Sequence, residues 1–576
     1  MSVFFKTLKK IPNSGYFWLA VSSLIPIGIF LNRVLIPDYS TDVLSYHLFN
    51  GLRAFYHPFV PFSPIEYYPV GIANIAPYWD ALTYLARSLV GYRLGTGLTV
   101  IAAIGCLVIV YQILTMILAE NGKKFNAFWG LILLSSGIVL ELEFQIATYD
   151  VDIINSLAVL LVFYAVLVKV LRSKSSTINL IFWSLCWLAL GCLLAFKLTN
   201  LPFVLAIGGL LIWNLIHQHK KIGRRSIVKL VLASLLIIIP LLPSWLSNYH
   251  LTHNPLYPYY NGIFHSPEYA PVSYQDNTFG GTAFASKLFW PVASLGDQLR
   301  LGEPHHIYND YKLALYWALA ILTCLLAILR WIRIGFVSKV VLVYFVVSTF
   351  LWGLLFGIER YFISSMLLGG LILAILISAK INDPKRQLRY FLLAGLASLG
   401  LVVAVIEDYR IIHFNLRYDI SWRTPLHADP SLHRSQLDYL FSDHLNISPA
   451  EQKTVTKADI LLNCNTNVAG LMVLLPNSKN KPVVNIISDG LPQYADMSNN
   501  VFYKKYRNGR LSSSTQSKRT YKWVSIISNK DIGPTAKGCY TNIRKNGGVI
   551  LSHQPVDSLL GYSNIKLSLI EGTIEL

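Results

Sequence analysis

Two carboxylates in the first polar segment of the chain have the type and position that acid–base chemistry requires. Asp38 and Asp42 follow directly on the first long apolar run, and Asp42 begins a stretch that is predicted to be helical. The N-terminus of a helix carries partial positive charge, which favours the ionised form of a carboxylate. Tyr46 lies one turn later on the same face, whereas His47 points elsewhere. Asp42 is therefore either a helix cap or a reactive carboxylate.

Further charged residues stand at the ends of later apolar runs. Asp150 and Asp152 precede the fourth run, and Lys197 ends the fifth. Arg360 and Tyr361 open the tenth. Charged groups near membrane depth are costly and usually functional. The alternative for each cation is to extend towards the membrane surface or to pair with a nearby carboxylate.

The composition indicates that these charges lie in an otherwise apolar chain. Of 576 residues, 54% are hydrophobic and 14% are charged, whereas soluble domains carry about 25% charged residues. Most of the chain is therefore expected to lie in lipid. The net charge of +19 does not predict nucleic-acid binding, because the Lys and Arg residues fall between apolar runs and not along one polar face.

A helix needs roughly 20 apolar residues to cross the hydrocarbon core of a membrane, and about eleven runs approach that length. The predicted spans are 16–36, 94–118, 127–142, 153–171, 178–196, 200–216, 227–246, 312–331, 337–357, 361–379 and 390–407. Basic residues concentrate in every second connection, which is the positive-inside pattern. This pattern predicts a cytoplasmic N-terminus, a retained first helix and a C-terminal region on the opposite side of the membrane.

Residues 1–407 are thus predicted to form a transmembrane domain with two long outer loops. Segments 37–92 and 247–311 are rich in aromatic residues and Pro, as is typical of the membrane interface. Within the first of these loops, 42–56 and 72–90 are predicted to be interfacial helices.

Residues 408–576 have the composition of a soluble domain and are predicted to fold as a small extracytoplasmic α/β domain. Pro449, preceded by Ser, indicates the start of a helix. The predicted strands are 460–462, 483–487, 523–527 and 548–551. Cys464 and Cys539 are candidates for a disulfide bond if this region lies outside the cytoplasm.

The first-loop motif resembles one family of membrane enzymes. The string Asp42-x-x-x-Tyr46-His47-Leu48, followed by Tyr68-Pro69-x-Gly71, resembles the first periplasmic loop of bacterial GT-C fold glycosyltransferases. That group includes relatives of the protein mannosyltransferases and the aminoarabinose transferases. The loop departs from the family pattern, because it offers Asp38 and Asp42 four residues apart and not an adjacent Asp-Glu pair. The choice of catalytic acid therefore stays open.

Later motifs resemble the same family in order and in predicted sidedness. Asp150 and Asp152 match the acidic residue of its second outer loop, and Lys197-Leu198-Thr199 matches its K-x-T segment. Arg360-Tyr361 matches its R-Y pair, and 254–258 resembles an N-P-x-[FY]-P stretch of uncharacterised relatives. The resemblance covers most of residues 1–400. The C-terminal domain carries no such signature.

The resemblance implies a polyprenyl-phosphate sugar donor, with a glycan, lipid or protein acceptor, at the inner (plasma) membrane of a bacterium. Asp42, with Asp38 as second choice, would accept the proton of the acceptor hydroxyl as this attacks the anomeric carbon with inversion. Arg360 and Lys197 would bind the donor phosphate and stabilise its charge as it leaves.

The remaining candidates would complete the substrate site. Asp150 or Asp152 would orient the acceptor or take part in catalysis by holding Mg²⁺ or Mn²⁺, although nothing in the spacing demands a metal. Tyr46, His47 and Tyr361 are further candidate substrate-binding residues by the same resemblance.

Three other classes of protein are compatible with so many spans. An O-antigen-type polysaccharide polymerase or ligase would also use a large outer loop, but it needs no Asp directly after the first helix. A transporter or flippase would show internal symmetry and charges in mid-span, whereas here the charges concentrate at helix ends. A non-catalytic assembly protein is the third alternative, which mutation of Asp42 would separate from an enzyme.

Overall fold

The computed structural model describes residues 14–34, 47, 48, 50, 51, 54, 78–139, 142, 144–172, 180–218, 224–257, 259–266, 271, 287, 289–293, 311–381, 387–417, 449–463, 475, 481, 483–485, 520–528, 548–556 and 567–575. The N-terminal half contains α1 (Gly15–Arg33), α2 (Tyr78–Val90), α3 (Tyr92–Gly95), α4 (Gly97–Glu120), α5 (Ala127–Gly137), α6 (Asp152–Arg172), α7 (Leu180–Phe196), a 3₁₀ turn (Leu198–Asn200) and α8 (Leu201–Gln218). The chain continues with α9 (Arg224–Ser234), a 3₁₀ segment (Leu235–Leu241), α10 (Leu242–Thr252), α11 (Asn261–Phe264), α12 (Trp290–Ala293), α13 (Tyr311–Ile328), β1 (Ile332–Arg333), α14 (Phe336–Leu355), a 3₁₀ turn (Glu359–Phe362), α15 (Ile363–Ser378), β2 (Lys380–Ile381) and α16 (Gln387–Arg417).

Eight helical segments among these residues are long and apolar enough to cross a membrane, and α5 and α7 are shorter apolar helices. Together they coincide with ten of the predicted spans, and α16 covers the position of the eleventh. Large apolar side chains such as Leu24, Ile101, Ile181 and Ile328 are exposed on these helices, as expected of a lipid-facing surface. The prediction of a multi-pass helical membrane protein is confirmed. The number of about eleven spans is not confirmed.

Helix α15 forms the centre of the bundle, and nearly all of its residues are buried. It packs against α4, α5, α13 and α14. Gly369 lies against the ring of Tyr316, and Gly370 lies against the side chain of Ser136, both closer than a Cβ atom would allow. Because lipid tails are as apolar as the helices, close packing of small residues holds such helices together.

Polar contacts close the end of the bundle at which α4 stops and α14 starts. Glu120 accepts hydrogen bonds from the backbone N–H groups of Val337 (3.1 Å) and Ser338 (3.3 Å). Its carboxylate thus caps the N-terminus of α14 from another helix. Nearby, the Asn121 amide donates to the Ser378 hydroxyl (3.3 Å), and β1 pairs antiparallel with β2.

At the opposite end of the bundle, α5 stops after 11 residues, about half of the ~20 needed to cross a membrane. The Lys312 ammonium donates to the carbonyl oxygens of Ser135 and Ile138 and pairs with the Asp408 carboxylate. The last carbonyls of α5 are therefore satisfied by a buried cation. Beyond them, the described residues of 138–151 are buried, and of these only Leu142 and Phe144 are helical. Non-helical backbone at membrane depth is tolerated where protein buries it or where it lines a cavity.

The C-terminal region begins with α17 (Pro449–Lys457) and β3 (Ile460–Asn463), followed by β4 (Val483–Asn485), β5 (Thr520–Ser528), β6 (Gly548–Val556) and β7 (Leu567–Glu575). The strands form one sheet in the order β4-β3-β5-β7-β6. β3 is parallel to β4 and β5, and β7 is antiparallel to β5 and β6. The predicted α/β domain, its helix start and its four strands are confirmed, and β7 is an additional strand. Cys464 and Cys539 lie outside the described residues.

Candidate active site

An ion pair joins two of the predicted site residues. Lys197 occupies the single extended residue between α7 and the 3₁₀ turn, and its ammonium pairs with the carboxylate of Asp152, the first residue of α6. The side chains are 16% and 5% exposed, respectively. Gln145 donates to the other Asp152 oxygen (3.4 Å). Asp152 also stands at the N-terminal end of α6, where the helix dipole is positive.

The charge state of Lys197 follows from its neighbours. Burial is the largest single effect on the ammonium and lowers its pKa. The Asp152 charge, Tyr361 and the hydrogen bond to Asp152 together raise this pKa by more, so the net pKa lies above the usual lysine value. The positive charge of Arg360 is close enough to lower it in part. Lys197 is therefore a permanent cation in the neutral pH range.

Tyr361 holds the second cation beside the first. The Arg360 Nη2 atom donates to the Tyr361 hydroxyl (3.3 Å), and its Cζ atom lies 5.2 Å from the centre of the Tyr361 ring. The Lys197 Nζ atom lies 4.5 Å from the same ring centre. Contacts of cations with an aromatic face at these distances are attractive. One tyrosine thus gathers two cations that are 163 positions apart in the sequence (360 − 197).

A second polar cluster is built on the other predicted residues of this end. The His47 Nδ1 atom lies 2.6 Å from Asp80 Oδ1, and its Nε2 atom lies 3.8 Å from Asp150 Oδ1. All three side chains are buried. Thr148 fixes the approach to Asp150, because its hydroxyl donates to the Gln145 carbonyl (2.8 Å) and accepts from the Asp150 N–H (3.1 Å).

Two asparagines tie the helices of the site together. The side-chain amides of Asn155 on α6 and Asn200 in the 3₁₀ turn exchange two hydrogen bonds of 2.8 Å and 2.7 Å. The Trp79 indole N–H donates to Asn155 Oδ1 (3.3 Å), and the Trp79 ring packs on Phe196 with ring centres 4.4 Å apart. Helices α2, α6 and α7 are therefore fixed relative to one another close to Asp80, Asp152 and Lys197.

An open groove starts at Lys197. Its walls are the end of α7, the bend between the 3₁₀ segment and α10, and the turn after α10. Most of the lining is apolar or aromatic, including Leu198, Leu241, Trp245, Leu256 and Tyr257. The groove can therefore take an apolar chain with an anionic group at the Lys197 end.

The predicted site residues divide into three sets. The structure brings Asp152, Lys197, Arg360 and Tyr361 into one cluster and His47 with Asp150 into another. Asp42, Asp38 and Tyr46 lie outside the described residues. Within the described part of the chain, no group of three or more His, Cys, Asp or Glu side chains is arranged to hold a metal ion.

Asp80, Asn155 and Asn200 were missed by the sequence prediction. A usable signal was present for Asp80, since Asp80, Thr83 and Arg87 recur at helical spacing on α2 and all three are buried. A polar stripe on the buried face of an interfacial helix indicates polar partners across the interface. No spacing signal points to the two asparagines.

The overall course of the chain is similar to that of solved membrane enzymes. The alignment with ArnT from Cupriavidus metallidurans bound to undecaprenyl phosphate covers 96% of this chain and 97% of ArnT, with 12% identity and a TM-score of 0.46. The alignment with the oligosaccharyltransferase of Archaeoglobus fulgidus in the apo form covers 94% of this chain and 73% of that protein, with 10% identity and a TM-score of 0.44. The alignment with AglB of the same organism, in complex with an inhibitory peptide and a dolichol-phosphate, covers 93% of this chain and 72% of AglB, with 12% identity and a TM-score of 0.41.

These neighbours belong to the GT-C group of glycosyltransferases that the motifs resemble. No protein-family model matches the sequence, and no curated protein matches it. Because the identities are 10–12% and the TM-scores lie below 0.5, an activity has to be inferred from the residues of this chain.

Proposed function

We propose that this protein is a glycosyltransferase that moves a sugar from a polyprenyl-phosphate donor to an acceptor hydroxyl. The observation that carries the proposal is the meeting of Lys197 and Arg360 on Tyr361, together with the mostly apolar groove that Lys197 lines. Two cations beside an apolar channel match the two chemical parts of a lipid phosphate, an anionic head and a hydrocarbon chain.

On the donor side, each cation has a separate task. Arg360 presents a planar guanidinium that can bind two phosphate oxygens at once, whereas Lys197 acts as a point charge. Both stabilise the negative charge that grows on the phosphate as its bond to the sugar breaks. Asp152 neutralises the Lys197 ammonium in the resting protein and holds it in place until the phosphate arrives. The isoprenoid chain lies along the groove that starts at Lys197.

On the acceptor side, the hydroxyl oxygen attacks the anomeric carbon while the bond from that carbon to the phosphate oxygen breaks. Direct displacement inverts the anomeric centre. The hydroxyl proton passes late in the reaction to a carboxylate, for which Asp42 is the first choice and Asp38 the second. Asp152 is less suited to that task, because its charge is already shared with Lys197.

The charge pattern of the connections supports a position of this site on the outer face of a bacterial inner membrane. Arg33, Asp152, Lys197 and Arg360 lie at helix ends of the same side in that pattern. The basic connections after Leu118 and before α14 belong to the other end, where Glu120 caps α14. Labelling of single introduced cysteines at the two ends in intact cells tests this orientation.

The test is sugar transfer by the purified protein in nanodiscs with a panel of polyprenyl-phosphate sugars. The assay follows release of the free polyprenyl phosphate and compares the wild type with Arg360→Ala and Asp42→Asn. Arg333→Ala is a matched control, because this exposed arginine lies at the opposite end of the bundle. Addition of EDTA reports whether Mg²⁺ or Mn²⁺ takes part.

We expect Arg360→Ala to weaken donor binding and Asp42→Asn to abolish transfer without unfolding the protein, while Arg333→Ala behaves as the wild type. Loss of one hydrogen bond to a charged group costs about 1.5–3 kcal/mol, which corresponds to roughly 10- to 150-fold in donor affinity. A folded wild type that releases polyprenyl phosphate from none of the donors would contradict the proposal.

A further inference from the structure

His47 is held between two carboxylates that come from different parts of the chain. Asp80 on α2 lies 2.6 Å from Nδ1, and Asp150, two residues before α6, lies 3.8 Å from Nε2. A neutral imidazole carries a proton on one ring nitrogen only, whereas the imidazolium carries one on each. Because both nitrogens face an acceptor in a buried site, the geometry favours the imidazolium.

The contact between His47 and Asp80 is built into the packing of the backbone. Gly51, one turn after His47, lies so close to α2 that a Cβ atom there would be 2.5 Å from the Asp80 carbonyl oxygen. The Thr83 hydroxyl donates to the same carbonyl (2.9 Å). Asp80 is therefore fixed from two sides, and only glycine allows the segment with His47 to approach it.

The two carboxylates before and at the start of α6 consequently have different cationic partners. Asp152 pairs with Lys197, which belongs to the donor side of the proposed reaction. Asp150, which is separated from Asp152 by Val151 in the sequence, faces the His47 imidazole. Separate counterions allow one carboxylate to serve the phosphate-binding cation and the other to accept a hydrogen bond from a hydroxyl.

We infer that Asp80 is a positioning residue of the transfer site, which holds His47 as an imidazolium aimed at Asp150 and so keeps Asp150 ionised to orient the acceptor hydroxyl. The inference rests on the proposed function, because it assumes a reaction with an acceptor hydroxyl. It adds a residue that no motif contains. Asp80 touches neither substrate, and its effect passes through His47 and Asp150.

The first experiment measures the protonation of His47 without any substrate. The protein is labelled with ¹⁵N-histidine, and the His47 signal is assigned by its loss in His47→Gln. At pH 7.5 the wild type is expected to show two protonated ring nitrogens. The reference pKa of histidine is about 6.5, so Asp80→Asn, which removes the nearer negative charge, is expected to give the neutral ring. Asp80→Glu keeps the charge and is expected to restore the imidazolium.

A matched control separates this effect from general damage. Asp408 is a second carboxylate that pairs with a cation at the same end of the bundle, so Asp408→Asn also breaks an ion pair. It is expected to lower the unfolding temperature and to leave the His47 signal unchanged. A neutral His47 in the wild type, or the same His47 signal in wild type and Asp80→Asn, overturns the inference.

The second experiment measures turnover with the polyprenyl-phosphate sugar that the panel identifies. Asp80→Asn is expected to lower kcat and raise the KM for the acceptor, and to leave the KM for the donor unchanged. We expect a loss of roughly 10- to 100-fold, the usual effect of removing the partner that orients a functional histidine. An equal rise in the donor KM would assign a merely structural role to Asp80. If no donor reacts, the proposed function fails, while the histidine spectra still decide the protonation of His47.

Discussion

The ion pair between Lys197 and Asp152 predicts that one substitution changes stability and affinity for polyprenyl phosphate in opposite directions. Asp152→Asn removes the carboxylate that neutralises Lys197 in the resting protein. The variant should therefore be less stable and should at the same time bind polyprenyl phosphate more tightly. A mutation that removes a residue in contact with the phosphate would instead lower both the stability and the affinity.

The gain in affinity can be estimated from the geometry of a shared ammonium. An ammonium that bridges a carboxylate and a phosphate donates to them at roughly the tetrahedral angle through contacts of about 2.8 Å, which places the contacting oxygens about 4.6 Å apart and the centres of the two delocalised charges about 6 Å apart. Two unit charges at this distance repel by about 3 kcal/mol at an effective dielectric constant of 20 and by about 0.7 kcal/mol at 80. Without the Asp152 charge, the dissociation constant for polyprenyl phosphate should fall by roughly 3- to 100-fold.

The loss of stability follows from the isolated cation. Removal of one partner from a buried pair costs about 3–5 kcal/mol. Lys197 keeps 16% of its side-chain surface exposed and lies against the Tyr361 ring, so the lower end of this range applies. Combining Asp152→Asn with Lys197→Met removes both charges, which should recover part of the stability and abolish the gain in affinity.

Both quantities can be measured on detergent-solubilised protein. Thermal unfolding followed by tryptophan fluorescence reports stability, and titration with a fluorescent short-chain polyprenyl phosphate reports affinity. If Asp152→Asn weakens binding while the protein remains folded, the Asp152 carboxylate contributes to binding, either by keeping the buried Lys197 ammonium charged and in place or by contacting the phosphate. The predicted gain in affinity would then be wrong.

Three further predictions concern the fold around the site. Lys312→Met should lower the free energy of unfolding by about 3–5 kcal/mol, because Asp408 loses its cation. The double variant with Asp408→Leu should recover most of the lost stability, as measured by thermal unfolding. An unchanged unfolding midpoint in Lys312→Met would contradict the prediction. Glu120→Ala should cost about 1–2 kcal/mol in the same assay through the lost cap of α14. Gly95→Ala should cost about 1–3 kcal/mol, because its Cβ would lie 2.8 Å from the backbone of α2, whereas Gly28→Ala, with no atom within 4 Å, should leave the unfolding midpoint unchanged.

The sequence was most informative where one physical requirement dominates. Apolar length predicts a membrane helix because each backbone polar group in lipid must be satisfied within the helix, and ten predicted spans coincide with apolar helices. The start of α17 at Pro449 was predictable for a similar reason, since Pro fits the first helical turn. β7 was not predicted, because a strand in an α/β domain depends on its neighbours as much as on its own residues.

Interruptions of the helices were less visible in the sequence. The span predicted at 227–246 contains a 3₁₀ segment, Leu235–Leu241, although its residues are apolar throughout. Pro240 within it removes one backbone donor, but Pro alone does not predict where a break starts. Ala147 adopts a positive φ of 68°, which no local pattern indicates for alanine. Its N–H donates to the Thr99 hydroxyl (3.2 Å), a contact that only the tertiary fold supplies.

The site illustrates the same division between local and tertiary information. Charged residues at helix ends could be selected from the sequence because charge at membrane depth is costly. Their pairing could not, since it depends on which helix ends meet. Lys197 was one of several cations in comparable positions, and its meeting with Asp152 and Tyr361 appears only when α6, α7 and the turn before α15 are brought together.

The early end of α5 connects the fold with the site. A full-length helix there would carry its backbone hydrogen bonds across the membrane and leave no room for a polar segment. Instead, Lys312 satisfies the carbonyl oxygens of Ser135 and Ile138, and a non-helical segment, Gln145 to Val151, leads to Asp152 at the start of α6. The buried ammonium thus makes it possible to place two carboxylates at the depth of a membrane-spanning bundle. For this reason a stability defect in Lys312→Met should be accompanied by a loss of donor binding, whereas the defect in Glu120→Ala, at the other end of the bundle, should not.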